Sequence, residues 1–209
     1  LYGADAIAGV INIITRKTTR AREAEAHASH GSFDTQDLSG RVGLRRGRWG
    51  TGLSAGWHNT RGFDRDPGTL ATTGNAQNIL NLSQWTELRV RSDVKLVATA
   101  DAQQRDLRGV DSGATRAVFD RRNLTRTASL SFGPEITWAV PARLRVTGHV
   151  AYFDDRYSLD QRGSDDLDEL QRTRDTLGQI SAQYDHLVAG KHMFTAGVET
   201  QLEGLSTPR

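Results

Sequence analysis

From residue 36 onward, hydrophobic and polar residues alternate with a period of two, the pattern of strands that are apolar on one face and polar on the other. The stretch from Trp49 shows it best: Trp49, Thr51, Leu53, Ala55 and Trp57 share one parity, and Gly50, Gly52, Ser54, Gly56 and His58 the other. Leu38, Val42 and Leu44 oppose Ser39, Arg41 and Arg45, while Val94, Leu96, Ala98 and Ala100 oppose Lys95, Thr99, Asp101 and Gln103. Leu124, Ala128, Leu130, Phe132, Ile136 and Trp138 alternate with Thr125, Thr127, Ser129, Ser131, Glu135 and Thr137. The rule continues through Leu144, Val146, Val150 and Tyr152, through Ile180, Ala182 and Tyr184, and through Phe194, Ala196, Val198 and Leu202. Three departures stand out. Trp85 falls on the polar parity of the stretch 80–90, Arg126 interrupts the apolar side of its strand, and the first strand, about Arg22 to Gly31, offers only Ala24, Ala26 and Ala28 as its apolar side.

The links between these stretches predict how the strands are joined. Short links are expected at 31–35, 46–48, 91–93, 140–142 and 188–191, and long ones, rich in Asp, Arg, Gly, Thr and Asn, at 61–78, 106–122 and 158–172. From residue 46 onward tight and long links take turns, as in an outer-membrane barrel with short turns at one rim and longer loops at the other. A soluble β-sandwich has no reason to keep its long links at one end. Trp49 and Trp57 lie eight residues apart on one face, ~27 Å along a strand and roughly 20 Å in height at a tilt near 40°, close to the apolar band of such a barrel. Trp49, Trp57, Trp138, Tyr152, Tyr184 and Phe194 are therefore read as aromatic girdle residues.

Composition agrees with this picture. Only 36% of the 209 residues are hydrophobic and the mean hydropathy is −0.55, too polar for a large dry core. A spanning strand needs only about 9 to 11 residues with every second one apolar. The longest nearly apolar run, 6–14, is too short for a spanning helix. The absence of cysteine excludes disulfides, thiolate metal sites and thiol nucleophiles. A net charge of +2, with basic residues scattered along the chain, argues against nucleic-acid binding.

Residues 1–18 read Leu-Tyr-Gly-Ala-Asp-Ala-Ile-Ala-Gly-Val-Ile-Asn-Ile-Ile-Thr-Arg-Lys-Thr. Gly3 and Gly9 permit turns and close approach, the run from Val10 to Ile14 suits a buried strand, and Asn12 within it needs a hydrogen-bond partner if buried. This segment resembles the C-terminal end of the plug domain of TonB-dependent outer-membrane receptors of the siderophore and cobalamin type. The match, unbroken from Leu1 to Thr15, rests on Leu1, Tyr2, Gly3, Asp5, Ala6, Ile7, Gly9, Val10 and Asn12. The resemblance implies an all-β chain, with residues 1–18 ending a plug and residues 19–209 forming about nine strands of a 22-stranded antiparallel transmembrane barrel. It implies the outer membrane of a Gram-negative bacterium and active import without covalent catalysis. The expected partners are the inner-membrane TonB complex, contacted through a plug region that precedes this piece, outer-membrane lipid, and a small ligand. A ferric siderophore is the first expectation for that ligand, with cobalamin or another nutrient as the alternative. A passive porin-like barrel ranks lower, because it would not carry the plug segment. No secretory leader precedes Leu1 and the chain breaks off after a strand, so a piece of a longer receptor is expected, with two open sheet edges.

Other chemistry reads more plainly. His27 and His30 would point to opposite faces of a strand. The acidic segments 64–66 and 164–169 offer oxygen ligands suited to calcium, but without the ligand ladder of an EF-hand, and read as solvated loop charge. There is no Gly-x-Ser-x-Gly elbow. No catalytic, metal or cofactor site is assigned. Arg41, Arg45, Lys95, Asp101, Arg145, Asp185 and Glu199 are expected to face the lumen, hydrating it and meeting plug or ligand.

Overall fold

The computed structural model describes residues 18–66, 68–113, 117–138 and 141–207; the motif at 1–15, with the expected last plug strand, lies outside the described residues. Every alternating stretch is a strand: β1 (Arg22–Gly31), β2 (Thr35–Arg46), β3 (Trp49–Thr60), β4 (Ala76–Arg89), β5 (Val94–Ser112), β6 (Val118–Thr137), β7 (Ala142–Gln161), β8 (Glu169–Val188) and β9 (His192–Ser206). They form one antiparallel sheet in chain order, so among the described residues the sheet is open, with β1 and β9 as its edges. The alanine-only side of β1 suffices because its whole length, from Arg22 opposite Leu44 to Gly31 opposite Thr35, pairs with β2.

The register carries the sequence parity across the sheet. Leu38 lies opposite Trp57 and Trp57 opposite Leu80; Ala100 lies opposite Leu130, and Leu130 opposite Val150. A one-residue slip would send an apolar set to the polar face, so the pattern itself specifies the pairing. Trp85 lies on the other face, opposite Gly52 and Thr99, as its parity requires. At the tight turns Gly47 (φ +56°), and Ala189 (φ +53°) with Gly190 (φ +68°), supply left-handed backbone conformations.

Two of the expected long links are shorter than the sequence suggests. β5 runs to Ser112 and β6 starts at Val118, leaving five residues, not 106–122; β7 ends at Gln161 and β8 starts at Glu169, so 158–172 is mostly strand. β4 likewise begins at Ala76, inside the third expected link. In these strand ends Asp, Arg and Gly fall on both faces and the few apolar residues keep no parity, so hydropathy loses its period although the ladder continues.

The strand starts are staggered by a constant step. Following opposed residues across each pair of strands, the first residue of β1, Arg22, reaches the third of β3, Thr51, by way of Leu44. Trp49 of β3 reaches Leu96, third in β5; Val94 reaches Leu144, third in β7; Ala142 reaches Phe194, third in β9. One residue of stagger per strand, at ~3.4 Å per residue and ~4.8 Å between strands, makes the strands lean about 35° from the normal to the line of short turns. This is the tilt that closing a sheet into a barrel demands.

One hollow of about 640 Å³ touches residues of every strand from β3 (Ser54) to β8 (Leu177), and side chains of the polar parity, Trp85, Glu87, Thr125 and Glu135, are buried while those of the apolar parity stay exposed, as in a sheet curled toward its polar face. The convex face therefore carries the apolar side chains, and burial is inverted. Among the described residues the buried polar or charged groups include Glu87, Asp106, Thr125, Glu135 and Asp154, whereas Trp85 and Ala142 are the buried hydrophobic ones. Leu130, Val150 and Ile180 lie 48%, 54% and 61% exposed at the middle of the convex face, within a contiguous exposed apolar patch of the kind that marks an interaction surface.

Candidate functional site

The polar concave wall and the apolar convex wall are the two working surfaces. By register, all seven charges expected to face the lumen, Arg41, Arg45, Lys95, Asp101, Arg145, Asp185 and Glu199, lie on the concave parity.

Near the short turns the concave wall is built around two carboxylates. Glu135 of β6 accepts from Lys95 Nζ at 2.9 Å and Arg143 Nη2 at 2.7 Å, with Arg145 at 3.7 Å. A lone carboxylate desolvated there would be costly; three surrounding cations offset that cost and leave positive charge in excess. On β4, Glu87 lies 3.7 Å from Arg45, whose guanidinium also sits 6.0 Å over the Trp85 ring. Arg45 Nε donates to the Thr18 carbonyl at 2.9 Å, and Thr18 Oγ1 donates to the Thr51 carbonyl at 3.2 Å. Thr18, the last residue of the plug-like segment, is thus fully buried against the concave side of β2 and β3. Gly43 makes room for it, since a Cβ there would collide with the Thr18 side chain.

Halfway up, the wall turns to hydroxyls, amides and carboxylates. Ser83 Oγ donates to Asp101 at 2.6 Å and Gln103 Nε2 to Asn81 Oδ1 at 2.7 Å around the hollow, whose lining carboxylates are Asp101 and Asp175. Toward the long loops, His58 Nδ1 lies 2.6 Å from Asp37, and Asp155 accepts from Thr125 Oγ1 at 2.7 Å and Asn123 Nδ2 at 3.0 Å. The wall can hydrogen-bond a polar body along its length and stay hydrated. Ser131 Oγ meets His149 Nδ1 at 2.8 Å, but the residue opposite His149 is Gln179, not the carboxylate that orients the imidazole of a hydrolase triad. His27 and His30 do lie on opposite faces, as their partners Ser39 and Gln36 show.

On the convex wall the expected girdle residues separate into two levels. Trp49, Trp138, Tyr184 and Phe194 lie near the short turns, where the Trp138 and Tyr184 rings meet edge-on at 6.2 Å; Trp57 and Tyr152 lie at the far limit of the apolar residues. Between the levels run the 9 to 11 residues of each strand that a tilted spanning strand needs, Val94 to Ala102 in β5 and Ala142 to Tyr152 in β7.

Glu87, Glu135 and Asp155 organise the concave wall, yet sequence reasoning assigned them no role. Their signal, a carboxylate on the polar parity of a strand flanked by strands carrying Lys, Arg or amides, exists only once the register is known. The chain matches no family model, no curated protein and no solved structure.

Proposed function

We propose that this chain is part of a TonB-dependent outer-membrane receptor that imports a scarce ligand, with a ferric siderophore as the leading cargo. The observation that carries the reading is the inverted polarity of a tilted antiparallel sheet: an exposed apolar band as tall as an outer-membrane core, backed by a concave wall of ion pairs and hydroxyls. The plug-like segment 1–18, whose motif spans 1–15 and whose last residue, Thr18, is buried on the concave side, supports a receptor over an empty porin. In this reading the wall binds the plug and hydrates the path, outer loops capture ligand, and movement of the plug, driven through TonB, opens the way. The cargo assignment rests on its frequency in the resembled family, and cobalamin or another nutrient is the alternative.

Deleting the gene and measuring energy-dependent uptake tests the proposal. Loss of ferric siderophore uptake, with expression raised by iron limitation, is the expected result. Loss of cobalamin uptake instead would move the cargo while keeping the receptor. Unchanged uptake of every ligand tried, or recovery of the protein in the water-soluble fraction, would overturn the reading.

A further inference from the structure

Just past the apolar band, the convex face of β5 to β8 changes character. Three successive rows of opposed residues read Gln104, Arg126, Asp154 and Arg174; then Asp106, Leu124, Arg156 and Arg172; then Arg108, Arg122, Ser158 and Leu170. These rows carry six guanidinium groups against two carboxylates, on the parity that carries Leu and Val below.

The charges form the same module twice. In β5–β6, Asp106 accepts from Arg122 Nε and Nη2, each at 2.9 Å, and from Arg108 Nη2 at 2.7 Å. In β7–β8, Asp154 accepts from Arg172 Nε at 2.7 Å and Nη2 at 3.1 Å, and from Arg156 Nε at 3.3 Å, with Arg174 at 3.5 Å. Asp106 and Asp154 are each the thirteenth residue of their strands, and Arg108 and Arg156 each the fifteenth. With the constant stagger, the modules sit at one height above the line of turns, two strands or ~10 Å apart.

Each module also sets two arginines directly opposite one another, Arg108 against Arg122 and Arg156 against Arg172. Like charges in that position repel and weaken a sheet. A single Asp per module leaves the group cationic, and the guanidinium side chains remain between 26% and 63% exposed on the convex side. A planar fork of donors held open by a carboxylate is suited to binding an oxyanion with two parallel hydrogen bonds. Facing outward at the level where an apolar band ends, the available oxyanions are those of lipid headgroups, which attract basic residues at a membrane surface.

We propose that the two modules Asp106–Arg108–Arg122 and Asp154–Arg156–Arg172 are outward-facing sites for phosphate groups of lipids in the outer leaflet. The proposal rests on the outer-membrane reading above. In the fold it ties the loop-side ends of β5 to β8 to the headgroup plane and fixes how deeply the wall sits.

The test uses the whole protein reconstituted in phosphatidylcholine vesicles with and without phosphatidic acid, comparing the native chain with the quadruple variant R108Q/R122Q/R156Q/R172Q. Insertion is scored separately, by protease protection. The expected result is that both proteins insert, and that the variant retains phosphatidic acid through detergent extraction about tenfold less well, the equivalent of losing one charge-assisted hydrogen bond. Equal retention by two inserted proteins would overturn the lipid sites and leave the receptor reading intact. Complete displacement of phosphatidic acid by inorganic phosphate at equal concentration would overturn the assignment to lipid. Failure of the native protein to insert would overturn both readings together.

Discussion

Strand β6 turns Leu130 and Leu124 to the same convex side, six residues apart, and their surroundings have nothing in common. Leu130 lies between Ala100 and Val150 in a field of aliphatic side chains; Leu124 lies between Asp106 and Arg156, among the paired arginines. The residue type is the same and so is the backbone. What differs is the distance from the line of short turns and, with it, the chemistry of the neighbouring side chains. The sheet is built to one geometry throughout, and in the outer-membrane reading its surface chemistry changes where lipid gives way to headgroups and water.

The comparison breaks most visibly at Leu130. A charge at the middle of the lipid-facing band of an outer-membrane barrel costs about 2 to 4 kcal/mol. Leu130→Arg is therefore expected to lower the stability of the vesicle-inserted whole protein by that amount, read as a shift of its urea midpoint. A shift indistinguishable from that of an exposed-loop substitution would mean that this face does not contact hydrocarbon.

Three residues on, the strain is steric. At Gly133 the β6 backbone lies so close to β7 that an added Cβ would overlap the Val146 carbonyl oxygen, and the neighbouring Pro134 has no N–H to donate. Gly133→Ala is expected to cost about 1 to 3 kcal/mol, the range for overpacking, in the same urea titration. The concave side adds an electrostatic term. Glu135→Gln would leave Lys95, Arg143 and Arg145 around a neutral amide; because the cations are partly exposed to water, a loss of about 1 kcal/mol is expected. Added salt should shrink the difference between native and variant, since it screens the cations that the carboxylate had neutralised.

How much of this was legible in the sequence depends on the same boundary. Within the apolar band, alternation located the strands from β2 onward, with β1 placed mainly by its position ahead of them; it also assigned Trp85 to the polar side and set on one parity, the concave one, all seven charges expected to face a lumen. Beyond the band it failed: 106–112 and 118–122 read as loop because Asp, Arg and Gly occupy both parities there. The period was still present, carried by charge. Asp106 and Arg108, like Asp154 and Arg156, are spaced by two, the interval that returns to one side of a strand. The hub role of Glu135 was not legible at all, because its cations come from β5 and β7 and only the register brings them together.

The smallest expected effect is the most discriminating. Leu124→Arg introduces the same charge into the same strand on the same face as Leu130→Arg. At position 124 the new guanidinium would stand opposite Asp106 on one side and Arg156 on the other, one contact attractive and one repulsive, with water and headgroups outside. Near the membrane boundary such a substitution costs about 0 to 1 kcal/mol. The expected outcome is a urea midpoint close to that of the native protein, while Leu130→Arg falls well below it. If both variants lost the same stability, the apolar band would extend past Leu124 and the arginine rows would lie inside it, which would require charges to sit in hydrocarbon. If neither lost any, the convex face would be in water along its whole length. Only a large gap between the two variants fits a sheet whose outward face passes from lipid to headgroups within six residues.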